Sequence, residues 1–166
     1  VSADRSAVPA IDSARFRQVL GHFPTGVTVI TAAAPDGPAG LAVGSFFSVS
    51  LDPPLVAFCA AKSSTSYPKI AEAGHFVVNV LSEDQEEISR VFASKGTDKF
   101  SGIGYHHALG TGAPVINDVL AWIGCDIQDV HEAGDHYIVV GLVHEMEVGH
   151  EAGPLVFFRG GYGRLS

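Results

Sequence analysis

Three short segments of this 166-residue chain carry side chains whose types and spacing could hold a ligand. The first runs Gly44-Ser45-Phe46-Phe47-Ser48-Val49-Ser50-Leu51, up to the break Asp52-Pro53-Pro54. Strand alternation predicts Ser48 and Ser50 on one face with Phe46, and Phe47 with Val49 on the other. Hydroxyls spaced in this way can hydrogen-bond a polyol chain or a phosphate, and Gly44 lets backbone N–H groups approach a flat ring. The same serines would equally suit the solvent face of a half-exposed strand. The second segment is Ala60-Ala61-Lys62-Ser63-Ser64-Thr65-Ser66. Four hydroxyl residues in a row beside a lysine, at the start of a short helix, suit an anion held by N–H groups and the helix dipole. A capped loop has the same composition.

The third segment, Gly134-Asp135-His136, sits at a tight reversal between two long apolar runs. Gly-Asp is ordinary hairpin chemistry. The position after it should favour a β-branched or aromatic residue, so His136 is unexpected there and is the candidate catalytic residue. Other chemistries find no support. The chain has eight histidines, but His131 and His136 are five apart across Ala-Gly-Asp, which is not the i, i+4 pair of a helical zinc site. His106 and His107 are adjacent and point apart, while His144 and His150 fall near a strand end and in a loop, so no metal site is expected. No GxGxxG follows a strand and no GxxxxGK[ST] or GxSxG occurs, which leaves Rossmann, P-loop and nucleophile-elbow chemistry unsupported.

The elements that must position these segments follow from periodicity. Asp12 reads as an N-cap with Ile11 and Phe16 as a hydrophobic staple, and Phe16, Val19, Leu20 and Phe23 form one apolar helix face ended by Pro24-Thr25-Gly26. Strands are predicted over 27–33, 40–51, 55–60 and 75–81, with a short helix between the last two that ends at Gly74. Ser82-Glu83-Asp84-Gln85 matches a capping box ahead of Ile88, Val91 and Phe92 on one helical face. Residues 95–118 show no period and read as a functional or partner-covering loop. Long strands over 119–130 and 136–148 and a last one over 155–158 complete the chain, with no repeat and no linker. Six or more strands with hairpin turns and only short helices predict a mainly β, α+β domain, an antiparallel barrel decorated by peripheral helices. The doubly wound βαβ alternation is missing.

Composition narrows the partners. Ten Lys+Arg against 18 Asp+Glu give a net charge of −8, which argues against nucleic acid while leaving room for one small anion in a local pocket. The length suits one domain over 11–166 behind a flexible tail at 1–10, with about two-thirds of the unfolded surface buried. Charged residues make up 17% and mean hydropathy is +0.25, yet no apolar run approaches the roughly 18 residues of a membrane span. A Gly- and Ala-rich chain would give these values, and so would an apolar face covered by a second subunit. Cys59 and Cys125 stand in apolar runs and read as buried thiols in a reducing compartment, and Val1–Pro9 lacks the apolar stretch of a signal peptide. The cytoplasm is the expected location.

Taken in order, these segments resemble the short-chain flavin reductases, the reductase components of two-component flavin-dependent monooxygenases. The resemblance runs from Phe16-Arg17 and Pro24-Thr25-Gly26-Val27-Thr28-Val29-Ile30-Thr31 through Ser45-Phe46-Phe47-Ser48-Val49-Ser50-Leu51-Asp52-Pro53-Pro54. It continues in His75-Phe76-Val77-Val78-Asn79-Val80-Leu81, Asp98-Lys99-Phe100, Gly134-Asp135-His136 and Phe158-Arg159-Gly160-Gly161-Tyr162. It implies an antiparallel split β-barrel that forms a homodimer, binds FMN or FAD, and reduces it by hydride transfer from NADH or NADPH for a separate oxygenase component. By the same resemblance Val43, Gly44, Ser45, Phe46, Ser48 and Ser50 contact the ring and ribityl chain, and Thr28 belongs to the cofactor-binding set. Ala60, Lys62, Ser63 and Ser66 hold the phosphate with Lys99 and Phe100 nearby, Gly134, Asp135 and His136 face the nicotinamide, and Tyr162 completes the set. Gly44 departs from the pattern, which often has Asn there. A non-catalytic flavin-binding module, or a split-barrel enzyme that keeps its flavin and acts on a bound substrate, would share these features. FMN against FAD, NADH against NADPH, and the oxygenase served are not readable from the residues.

Overall fold

The structure, a computed structural model, describes residues 8–166, so most of the expected tail lies outside the described residues. Helix α1 (Ser13–Leu20) starts where the sequence places it: the Asp12 carboxylate accepts the Arg15 N–H at 2.7 Å, and Gly21 closes the helix. Strands β1 (Thr25–Gly26), β2 (Thr28–Ala34), β3 (Gly37–Val43), β4 (Phe47–Leu51) and β5 (Pro54–Ala61) follow. Next come α2 (Tyr67–Ala73), β6 (His75–Val80), α3 (Glu86–Ala93), β7 (Tyr105–His107) and β8 (Pro114–Ile116). The chain ends with β9 (Ala121–Ala133), β10 (His136–Val148), β11 (Val156–Phe158) and β12 (Gly161–Gly163).

Seven strands form one sheet in the order β3-β2-β6-β9-β10-β5-β4, antiparallel at every pairing. Two apolar clusters lie on its two faces, as period-two alternation requires. Ile30, Ala32, Phe58, Phe76 and Val78 join one cluster with Tyr67 and Ile70 of α2, while Val29, Val77, Leu81 and Val115 join the other with Phe92 of α3. Strands β2 and β6 are therefore covered on both sides, which is why they read as continuous apolar runs. Buried Asn79 ties the inner strands together: its amide donates to the Val29 carbonyl at 3.1 Å, and its oxygen accepts the Ile116 N–H at 2.8 Å.

Four expectations change. The run 40–51 is two strands, since residues 44–46 leave the ladder before β4 begins. Within β4 the pairing to β5 shifts between Ser48 and Ser50, so Val49 is an inserted residue and the predicted shared face of Ser48, Ser50 and Phe46 does not hold. The box at 82–85 forms only in half. The Gln85 side chain accepts the Ser82 N–H at 3.0 Å, but α3 begins one residue beyond Gln85. Residues 95–118 are not all loop, for β7 and β8 pair within them.

Candidate functional site

A groove of about 360 Å³ opens where β3 ends, alongside β5 and the C-terminus of α3. Alternation along β5 decides which residues face it: Phe58 and Ala60 enter the core, so Cys59 and Ala61 line the groove. Val43, Gly44 and Ser45 form an adjacent wall, the Ser63–Ser66 turn another, and His136 stands at one side. Ser45 is spent on holding the wall in place. Its hydroxyl accepts the Cys59 N–H at 2.9 Å and donates to the Cys59 carbonyl at 3.3 Å.

The turn uses its hydroxyls differently. Ser64 Oγ accepts the N–H groups of Ser66 and Tyr67, at 3.3 and 3.1 Å, so those amides are not free for an anion as the sequence reading supposed. Ser66, although it precedes α2, makes no side-chain cap. Its hydroxyl instead accepts the Lys99 ammonium at 3.2 Å, which leaves its own proton to be donated. Lys99 is only 8% exposed and also donates to the carbonyls of Phe92 at 3.0 Å and Gly40 at 3.3 Å. All three acceptors are neutral. Burial pushes the Lys99 pKa below the ordinary lysine value, and no carboxylate among the described residues pairs with it. A desolvated cation without a counter-charge, beside a hydroxyl with a free proton, favours an anion in the groove.

His136 is tied down by its neighbours. Its Nδ1 lies 2.7 Å from Asp135 Oδ1, a contact that also holds the Asp135 carboxyl below the usual carboxylate range. A carboxylate only accepts, so Nδ1 carries the proton and donates. In the neutral ring Nε2 is then an acceptor, and it donates only when the ring is protonated. Gly134 takes the left-handed conformation of the reversal, and the Asp135 carbonyl accepts the Lys62 N–H at 2.9 Å, which ties this turn to the Ser63–Ser66 segment.

Seven of the sequence-derived residues thus meet in the groove: Val43, Gly44, Ser45, Ser63, Ser66, Lys99 and His136. The others do not line it. Thr28 is buried and donates its hydroxyl to the Val43 carbonyl at 3.2 Å, and Ala60 faces the core. Phe46 packs on that core, while Ser48 and Ser50 ride on β4 outside the groove. The Lys62 ammonium turns to Glu132 at 3.3 Å and sits 5.4 Å over the Tyr137 ring. Phe100 lies edge-on to Phe92 at 5.0 Å in the second cluster, and the Tyr162 hydroxyl is 2.9 Å from Ser89 Oγ. Gly134 and Asp135 support His136 without lining the groove. Sequence reasoning missed Cys59, Ser94 and Lys95. Period-two counting from the core residues Phe58 and Ala60 would have found Cys59.

The flavin reductase like domain family matches residues 20–166 of the chain. A flavin reductase of Pseudomonas putida is 57% identical over 155 residues, covering 93% of this chain and 91% of its own. An FMN reductase (NADH), SmoA, of Agrobacterium fabrum is 46% identical over 161 residues, covering 96% and 90%. Among solved structures, nitrilotriacetate monooxygenase component B from Mycobacterium thermoresistibile superposes with a TM-score of 0.89 at 44% identity, covering 93% of this chain and 87% of that one.

Proposed function

The chain belongs to the flavin reductase-like family, and from that premise we propose that it is an NAD(P)H:flavin oxidoreductase, reducing FMN or FAD with NADH or NADPH and passing reduced flavin to a separate monooxygenase. The observation that carries this reading is the charge of the groove. The whole chain is at −8, yet none of the described residues lining the groove is Asp or Glu, and its one buried cation has no counter-charge. A flavin phosphate supplies that charge.

Bound flavin supplies the redox chemistry, taking electrons from the reduced nicotinamide. The chain's own part is binding and orientation. Ser66 donates its free proton to the phosphate and Lys99 neutralises it, while Ser63 stands on the same turn. Val43, Gly44 and Cys59 wall the ring end with little side-chain bulk. His136, held by Asp135 through Nδ1, meets the nicotinamide amide through Nε2 and so orients the electron donor. No general base is required.

The working form we propose is a homodimer. The accessible surface of 9931 Å² exceeds the ~7,800 Å² expected of a compact 17.3 kDa monomer. Part of that surface is apolar: Phe16, Val19, Leu20 and Phe23 of the α1 face, and Phe47, Val49 and Leu51 of β4, are all exposed. Sedimentation at micromolar concentration is expected to give twice 17.3 kDa, and a 17.3 kDa species alone contradicts the dimer. Among the described residues no helix is long and apolar enough to cross a membrane. A reducing, cytoplasmic location is supported by two unpaired thiols, Cys59 and Cys125, the latter pushed up to about 12 by burial. The activity is tested by asking whether the purified protein consumes NADH only when flavin is added.

A further inference from the structure

An eight-residue helix needs something to pack on, since isolated helices shorter than about 12–15 residues are marginal in water. No residue of α1 is buried, and its stripe of Phe16, Val19 and Leu20, continued by Phe23, faces solvent. It is tied to the body just past its C-terminus, where the Gly21 carbonyl accepts the Arg159 N–H at 2.8 Å. Arg15 and Arg17 are the chain neighbours of Phe16 and project about 100° to either side of it, so a cation flanks the stripe on each side. The helix holds no Asp or Glu, and neither arginine has an ion-pair partner among the described residues. In a chain at −8 this is a locally basic and apolar face.

A second groove has the opposite charge. It measures about 750 Å³ and lies between β10 and the turn that joins β7 to β8, with Trp122, Val143, Met146, Leu109 and Pro54 among its apolar walls. The described residues lining it include two carboxylates, Glu145 and Glu147, and no Lys or Arg. Glu145 is engaged, accepting the Gly110 and Thr111 N–H groups at 3.1 and 3.2 Å, while Glu147 has no ion-pair partner among the described residues. Leu109 is fully exposed and Met146 is 65% exposed, so apolar surface extends past the cavity, and a small molecule inside would leave it bare. Pro54 pairs with Leu51, which makes the groove continuous with the exposed face of β4. We propose that α1 of a second copy of this chain occupies this groove, its apolar stripe against Trp122 and Met146 and its arginines toward Glu147. The inference rests on the homodimer reading and names the contact that makes it. An amphipathic helix laid by its apolar face into an apolar groove is a recurrent mode of recognition. The single chain leaves both its helix and its groove uncovered, so the two are joined between copies. A two-fold arrangement seats each copy's helix in the other's groove and closes the assembly at two.

Sedimentation of the full chain over a range of concentrations tests the exchange. Phe16→Ser with Leu20→Ser on the helix, and separately Met146→Lys in the groove, are each expected to raise the dimer Kd at least thirtyfold. All three side chains are exposed in the single chain, so the variants keep the fold, which circular dichroism checks. Arg15→Glu with Arg17→Glu is expected to weaken the dimer at least tenfold and Glu147→Lys at least threefold, while all three changes together give a tighter dimer than the arginine pair of changes alone. Removing negative charge from a chain at −8 would by itself tighten association, so weakening by Glu147→Lys identifies a local contact with the arginines. A wild-type dimer whose Kd the groove variants leave unchanged, or that Glu147→Lys tightens, would overturn the proposal and keep the homodimer, with α1 seated on another surface if the helix variants still weaken it. A wild type that sediments only at 17.3 kDa removes the homodimer and the exchange together.

Discussion

Lys99→Met is expected to raise the Kd for FMN at least thirtyfold while riboflavin, which lacks the phosphate, changes by less than threefold. A hydrogen bond to a charged group contributes about 1.5–3 kcal/mol, and ~2 kcal/mol corresponds to the thirtyfold loss. Met keeps the stem and removes the one buried cation of the groove. The loss of fold stability should be partial. Methionine leaves the Gly40 and Phe92 carbonyls without their donor, but it also removes an ammonium that burial disfavours. Ser66→Ala is expected to cost about tenfold by the same reasoning, and the double variant should lose less than the two singles together, because Lys99 and Ser66 share one hydrogen bond. The pH dependence has a definite sign. The Lys99 pKa is lowered in the free protein, and an adjacent phosphate raises it again, so binding takes up a proton at alkaline pH. FMN affinity is therefore full below the lowered pKa and falls as pH rises from there toward the ordinary lysine value of 10.5. Isothermal titration with both flavins across this range reads all of these effects. An equal loss for riboflavin and FMN would mean that Lys99 acts on the fold and not on the phosphate.

His136→Ala is expected to lower kcat/KM for NADH by about 1–3 kcal/mol of transition-state binding, roughly fivefold to 150-fold, through KM. The Kd for flavin should scarcely move, because the imidazole meets the other cofactor. The Nδ1 bond to Asp135 leaves Nε2 as the ring atom free to meet the nicotinamide amide. Stopped-flow flavin reduction at limiting and saturating NADH separates this role from two others. A fall in the saturated rate would place His136 on the reduced flavin. Wild-type rates at both concentrations, with a lower melting temperature, would leave it only a hairpin role.

Much of the fold was legible because local rules agreed with the tertiary ones. Asp12 caps α1, Gly74 ends α2 in the left-handed conformation, and the Gly134-Asp135 reversal joins two thirteen-residue strands. The α1 stripe was also legible, yet it packs on nothing within the chain, because periodicity fixes which face is apolar and not what covers it. The inserted Val49 was hidden, since an added residue in a strand leaves no compositional trace.

The site was harder to read, for one recurrent reason: a polar side chain has competing partners that sequence does not rank. The hydroxyl of Thr28 is consumed by the Val43 carbonyl, the ammonium of Lys62 by Glu132, and the hydroxyl of Tyr162 by Ser89. Ser66 and Lys99 reach the groove because Ser64 takes over the capping of α2 and releases the Ser66 hydroxyl. That exchange depends on atoms brought together over 33 residues of separation, and no local pattern announces it.

Catalysis at this groove is tested most directly by the initial rate of NADH oxidation under anaerobic conditions, with FMN, FAD, riboflavin or no flavin added in turn. The expected result is no consumption by the flavin-free protein, consumption that rises with each added flavin, and a lower KM for FMN and FAD than for riboflavin, which cannot engage Ser66 and Lys99. NADH left unconsumed while flavin is bound, or consumed at the same rate without flavin, would contradict it.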